Sequence, residues 1–278
     1  MNHYGKLLHW EINRFAKIWG ALALLTLLVQ SVGVTIFSAG YMSRVKDNMY
    51  MNSIATFEEY ISRSGKIDFM EYGRSLWFSG PIALCVAALL LYSFLIWYRE
   101  WFGKNTFAYR LLMLPTSRMK VYTSKLTAII LYVLGLVALQ IVILPLLMFI
   151  YSSIVPAVLR DSITLSEFIH RQEYLSLMIP NYFMEFILGY GAGITAVIII
   201  FTAILLERSY RLKGIVAGIL YIAAASILFV LPLIITESFY TNYFYPSEVV
   251  LMEIGCGLII LCVSLWFSSF LIRKKVNV

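Results

Sequence analysis

Six apolar runs without a single Lys or Arg constrain this chain more than any other feature of its sequence. Each is 21 to 28 residues long, and they cover residues 18–39, 77–97, 126–150, 179–206, 214–235 and 249–272. At a rise of about 1.5 Å per residue, a helix of this length crosses a hydrocarbon core of about 30 Å. The runs therefore predict an all-α integral membrane protein with six transmembrane helices.

The overall composition excludes a soluble enzyme. Hydrophobic residues make up 61% of the chain and charged residues only 13%, whereas a soluble domain carries about 25% charge. The net charge of +7 is typical of basic loops beside a membrane in a chain this apolar, and we expect no nucleic-acid partner. The three cysteines, Cys85, Cys256 and Cys262, lie inside apolar runs without a CxxC pair. We therefore predict neither a disulfide framework nor a metal site.

The distribution of basic residues predicts the orientation. Residues 1–17, 98–125, 207–213 and 273–278 hold 15 of the 22 Lys and Arg residues but only three acidic ones. Because cytoplasmic loops carry the excess of Lys and Arg, we predict that both termini are cytoplasmic. A cleaved signal peptide ending near Ser38 is an alternative, although its apolar core would be only about 7–15 residues long.

Residues 1–17 predict an amphipathic helix lying in the membrane interface, ahead of a single six-helix transmembrane domain over residues 18–278. One face of this helix is apolar, and Lys6, His9, Asn13 and Lys17 fall opposite. The predicted interface residues are Leu7, Leu8, Glu11, Ile12, Arg14 and Phe15. Glu11 breaks the apolar face: either it reaches water or pairs with Arg14, or it contacts another helix or subunit.

The segment 98–125 is the longest predicted cytoplasmic stretch. A helical run from Asn105 to Leu114 is stopped by Pro115, and Thr116 or Ser117 can cap the helix that follows. This run is too apolar for a loop that meets only water, and Arg99, Lys104, Arg110 and Arg118 surround it. It predicts either a protein contact below the membrane or a helix on the inner leaflet with its charges on headgroups.

The same segment resembles the permease subunits of ABC-2-type transporters. The similarity lies in the topology and in a pattern of Leu-Pro, then Ser-Arg, then Ser-Lys, formed here by Leu114, Pro115, Ser117, Arg118, Ser124 and Lys125. The resemblance implies that part of 98–125 is a coupling helix that docks on a separate ATPase subunit. The docking residues it implies are Lys104, Asn105, Phe107, Tyr109, Arg110, Leu111, Leu112, Met113, Leu114, Pro115 and Arg118.

The resemblance implies the transport half of an ATP-driven exporter in a bacterial cytoplasmic membrane. The expected substrate is amphiphilic: a peptide antibiotic, lipid, glycan or drug. The expected partners are the ATPase, a second permease chain in a homo- or heterodimer, and membrane lipid. The sequence contains no GxxxxGK[ST] phosphate-binding loop. We therefore predict a non-catalytic subunit whose partner binds ATP and Mg²⁺. The alternative is a self-sufficient carrier or channel.

Small residues mark places where helices can approach closely. Gly189 with Gly193 and Gly214 with Gly218 are GxxxG pairs. Each pair predicts a helix contact, either within the chain or at a dimer interface.

The stretch Glu58 to Arg63 fits EExxxR, a pattern associated with intramembrane CAAX-type proteases. Paired carboxylates can serve as a general base there. That chemistry also needs His residues in the spans, and none of the three His is so placed. We therefore predict no protease site.

Polar residues are few within the predicted spans. Leaving Ser, Thr and Tyr aside, the candidates are Gln30, Gln140, Asn181, Glu185 and Glu253. Intramembrane carboxylates are costly and therefore functional candidates, but Glu185 and Glu253 lie near a predicted outer boundary. We expect both to reach the outer surface. The aromatic stretch 236–248 predicts an interfacial belt or a re-entrant hairpin.

Overall fold

The computed structural model describes residues 3–101, 117–238 and 243–275, which form ten α-helices. Six are long: α1 (His3–Met51), α4 (Leu76–Trp101), α5 (Arg118–Ile154), α8 (Phe183–Tyr210), α9 (Leu212–Ser238) and α10 (Pro246–Lys274). Four are short: α2 (Phe57–Ser64), α3 (Phe69–Gly73), α6 (Leu165–Arg171) and α7 (Glu173–Met178).

Each long helix contains all or most of one of the six apolar runs and is long and apolar enough to cross a membrane. The only paired extended residues in the described ranges are Ile67 and Arg160, which form one isolated parallel bridge. The prediction of an all-α, multi-pass membrane protein is confirmed for the part of the chain that the structure describes.

The N-terminal segment is not separated from the first span. α1 runs for 49 residues without a break, because Ala16, Lys17 and Ile18 offer neither a proline nor a turn signal at the predicted junction. The predicted division at residue 17 is therefore not a helix boundary. Burial still follows the two predicted faces: Glu11 and Phe15 are buried, while Lys6, His9, Asn13 and Lys17 are exposed and Leu7, Leu8, Ile12 and Arg14 are intermediate.

The fourth long helix begins later than predicted. Its expected start at residue 179 is wrong because Pro180 forces Ile179 out of the helical region, with φ −127° and ψ 74°. α8 begins instead at Phe183, which leaves Asn181 outside it. Glu185 consequently lies in the first turn and is exposed, where a carboxylate interacts favourably with the helix dipole.

The chain folds as two compact units. The second unit draws on Arg14–Ala88 and Leu131–Phe183, and its core is aromatic. Phe168 of α6 lies 4.8 Å from Phe69 of α3 and 5.7 Å from Phe78 of α4, measured between ring centroids. Gln172 Nε2 donates to Gly73 O at 2.8 Å. The segments 40–76 and 151–178, which connect predicted spans, thus pack on each other.

The first unit draws its described residues from Met1–Asn13, Leu89–Ile130 and Met184–Val278. Its three C-terminal helices are joined by hydroxyl groups: Thr202 Oγ1 and Ser268 Oγ lie 2.8 Å apart, and Tyr221 OH and Ser264 Oγ lie 2.5 Å apart. Lipid gives apolar helices little reason to associate, so hydrogen bonds and close packing hold such spans together.

Candidate functional site

Lys125 is the centre of a buried ion network in the first unit. It lies in the third turn of α5 and has no exposed surface. Its Nζ donates to Glu11 Oε1 at 2.7 Å, to Glu100 Oε1 at 2.6 Å and to the carbonyl of Ile96 at 3.1 Å. An ammonium has three donors, and here each of them has an acceptor.

The network is electrically balanced. Arg99 Nη2 donates to the second oxygen of Glu11 at 3.3 Å, so two carboxylates face two cations. Lys125 Nζ also lies 5.3 Å from the ring centroid of Trp97. Burying charge is costly unless the groups are paired and hydrogen bonded, and this arrangement meets both conditions. The structure therefore shows Glu11 in contact with other helices, which was one of the two alternatives for this residue.

The network holds both flanks of residues 102–116. Glu100 comes two residues before that segment, at the end of α4, and Lys125 follows it on α5. Glu11 ties the first turns of α1 to the same ammonium. A hydrogen bond of 2.7 Å between Tyr4 OH and Thr127 Oγ1 adds a second link between α1 and α5. Three helices therefore meet at the base of the predicted docking segment.

Most of the predicted docking residues fall within this segment and lie outside the described residues. They are Lys104, Asn105, Phe107, Tyr109, Arg110, Leu111, Leu112, Met113, Leu114 and Pro115. Arg118 is described: it begins α5, and its Nη1 donates to the carbonyl of Ile272 at 2.9 Å. This bond places the start of α5 beside the end of α10.

A second polar contact lies at the same end of the first unit. Tyr98 OH donates to Glu207 Oε2, and the Arg208 guanidinium lies 5.0 Å from the centroid of the Tyr98 ring. The contact joins the end of α4 to the end of α8. All three acidic residues predicted on the cytoplasmic side, Glu11, Glu100 and Glu207, are thus bound to another helix.

Gly214 and Gly218 lie where the backbones of α8 and α9 are in close contact. A Cβ on Gly214 would overlap the carbonyl oxygen of Leu206 and lie 2.7 Å from Glu207 Cα, and one on Gly218 would lie 3.1 Å from Ala203 O. The turn between the helices is tight, with Arg211 at φ 54°. This GxxxG pair forms an intrachain contact. By contrast, a Cβ on Gly193 would meet no atom within 4 Å, and Gly189 is exposed.

Gln30 and Gln140, the two polar candidates in the spans of the second unit, are hydrogen bonded to each other. Gln30 Nε2 donates to Phe78 O at 3.0 Å, Gln140 Nε2 donates to Gln30 Oε1 at 3.2 Å, and Tyr72 OH donates to Gln30 O at 2.7 Å. Gln30 and Gln140 are both buried. Each is bonded within the bundle, which supports a structural role for them.

We expect the hydrogen bond between the two glutamines to contribute little to the free energy of unfolding. Replacing Gln30 and Gln140 with Leu, singly and together, should give a coupling of about 0.6 kcal/mol in the free energy of unfolding, and no more than about 1.7 kcal/mol. The measurement is a double-mutant cycle in detergent. A second cycle, with Thr35→Val in place of Gln30→Leu, should show no coupling, because within the described residues the Thr35 hydroxyl bonds to Ser31 O in its own helix and to no other group.

The EExxxR stretch does not assemble a catalytic set among the described residues. Glu59 pairs with Arg63 at 2.8 Å on the surface of α2. In the same described ranges, no three His, Cys, Asp or Glu side chains are grouped so that they could hold a metal ion. Neither feature supports a protease.

Glu100 is the network residue that sequence reasoning did not single out. It lies beside Arg99 at the end of an apolar run, where a charge is ordinary. Its only signal was the scarcity of acidic residues among the predicted cytoplasmic segments.

No family model, characterised protein or solved structure matches this chain.

Proposed function

We propose that this chain is the permease subunit of an ATP-driven ABC-2-type transporter, with a separate ATPase subunit as its partner. The observation that carries the proposal is the ion network of Glu11, Glu100, Arg99 and Lys125, which fastens the start of α1 to both flanks of residues 102–116. A segment that receives force from another protein needs such an anchored base.

The proposed mechanism follows from this anchoring. Two ATPase subunits close on ATP and press on residues 102–116. Because Lys125 binds Glu100 at 2.6 Å and Glu11 at 2.7 Å, the end of α4 moves together with the starts of α5 and α1. Two permease chains, identical or different, then change the side of the membrane that their shared path faces. The membrane is the bacterial cytoplasmic membrane, with both termini inside, and the substrate is amphiphilic.

Charge reversal in the docking segment tests the proposal. We expect Arg110→Glu or Leu112→Glu to abolish association with the ATPase, because either change places a carboxylate in an apolar and basic contact surface. The measurement is mass spectrometry of the proteins that co-purify with the tagged full chain from its native membranes in mild detergent. A stoichiometric ATPase carrying a phosphate-binding loop should accompany the unmodified chain and be absent from both variants.

The matched control is Lys66→Glu, an equivalent change at an exposed residue between α2 and α3. We expect it to retain the ATPase. If the variants at Arg110 and Leu112 retain the partner as well, the docking assignment is wrong. If the unmodified chain brings down no ATPase under conditions that preserve a known transporter complex, a self-sufficient carrier takes its place.

A further inference from the structure

We propose that the start of α5 and the end of α10 form a binding site for the headgroup of an anionic phospholipid. The site consists of Lys120, Arg273, Lys274 and Lys275, and Arg118 holds its two halves together. We call these four residues the basic cluster.

The two halves of the basic cluster are adjacent. Arg118 Nη1 donates to the carbonyl of Ile272 at 2.9 Å. This contact places Lys120, two residues further along α5, at the same end of the bundle as residues 273–275. All four side chains of the basic cluster are exposed. Exposed cations from two helix ends, more than 150 residues apart in the chain, therefore lie at one end of the first unit.

The basic cluster lies at the membrane boundary. Both apolar spans that carry it end there, one beginning at Arg118 and the other finishing at Lys274. Trp266, which is 70% exposed, stacks on Phe270 with a centroid separation of 6.2 Å, and Lys274 Nζ lies 5.6 Å from the Phe270 ring centroid. An aromatic stripe that ends in a lysine is the arrangement by which a charge reaches headgroups from a lipid-facing helix.

No acidic residue on its own helices lies close to the basic cluster: α5 has none, and the two of α10, Glu248 and Glu253, lie 20 or more residues before Arg273. Neither 117–154 nor 254–278 contains an Asp or Glu. The three acidic residues elsewhere at this end of the first unit are Glu11, Glu100 and Glu207, and they bind Lys125, Arg99 and Tyr98. Four uncompensated cations beside a membrane attract anionic lipid, at about 1 kcal/mol per Lys or Arg.

A phospholipid fits these features better than the other possible occupants. Its phosphate matches the basic cluster, and its acyl chains match the stripe of exposed Trp266 and half-buried Phe270 that continues from it along α10. Free phosphate would use only the charges. An acidic protein segment would use the charges and leave the stripe uncovered.

Native mass spectrometry of the full chain tests this site. The chain is released from detergent with increasing phosphatidylglycerol or phosphatidylcholine, and bound lipid molecules are counted. The test variant carries Lys120→Gln, Arg273→Gln, Lys274→Gln and Lys275→Gln. We expect its apparent affinity for phosphatidylglycerol to fall by about tenfold or more, with no change for phosphatidylcholine.

A matched control removes four exposed basic residues elsewhere: Arg44→Gln, Lys46→Gln, Arg63→Gln and Lys66→Gln. It has the same net charge as the test variant and should keep its phosphatidylglycerol. A milder variant, Lys120→Gln with Lys275→Gln, should lose less affinity for phosphatidylglycerol. It replaces the fourfold variant in the test if the fourfold variant does not fold.

Three outcomes would overturn the proposal. One is an equal loss in the control, which would show a general effect of net charge. Another is complete displacement of the lipid by millimolar inorganic phosphate, which would show an anion site without lipid recognition. The third is unchanged phosphatidylglycerol binding by the fourfold variant, which would show that the basic cluster does not hold the lipid.

Discussion

Replacing Lys125 with Met should destabilise this protein by about 3–5 kcal/mol, the cost of removing one partner from a buried ion pair. The substitution keeps the volume of the side chain but leaves Glu11 and Glu100 buried without their shared ammonium. Glu11 retains only Arg99 among its ion-pair partners in the described residues. Chemical or thermal unfolding of the purified chain in detergent measures the loss.

A triple variant separates lost pairing from lost packing. Combining Lys125→Met with Glu11→Gln and Glu100→Gln removes the buried charges as well as the ammonium, and we expect it to recover a large part of the lost stability. Lys6→Met is the control for removing a lysine: it lies on the exposed face of α1 and should leave unfolding unchanged. A triple variant no more stable than Lys125→Met alone would contradict the importance of charge pairing at this site.

The spans were predictable from the sequence because crossing a membrane imposes a one-dimensional requirement. Length and the absence of Lys and Arg define each run without knowledge of its neighbours. The ends were less predictable. Pro180 moves the start of α8 to Phe183, and no proline or turn residue interrupts α1 at Lys17. The helix boundaries therefore depend on individual residues that a hydropathy pattern does not distinguish.

The ion network was only partly predictable. Glu11 was conspicuous because it interrupts an apolar face, but its partners lie 88 and 114 residues away in the chain. No local pattern encodes such a pairing. The same holds for Phe168, which lies outside the predicted spans and contacts Phe69 and Phe78, 99 and 90 residues earlier in the chain. Contacts of this kind follow from how helices pack.

Gly214→Leu should be the most damaging substitution in the α8–α9 hairpin. A Cβ at this position already overlaps Leu206 O and lies 2.9 Å from Glu207 O. Both atoms belong to backbone, so they cannot rotate away as the tip of a side chain would. Overpacking costs about 1–3 kcal/mol and occasionally more, and we expect leucine to reach the upper part of that range. The readout is the midpoint of thermal unfolding, compared with the unmodified chain.

Gly193→Leu is the matched control, because it introduces the same side chain into a helix at a glycine with nothing within 4 Å of its added Cβ. Leucine forms helix more readily than glycine, by roughly 0.5–1 kcal/mol, so this control should unfold at the same temperature or higher. The two variants have the same composition and differ only in what the new side chain meets. Equal melting temperatures would therefore show that α8 and α9 do not pack through Gly214.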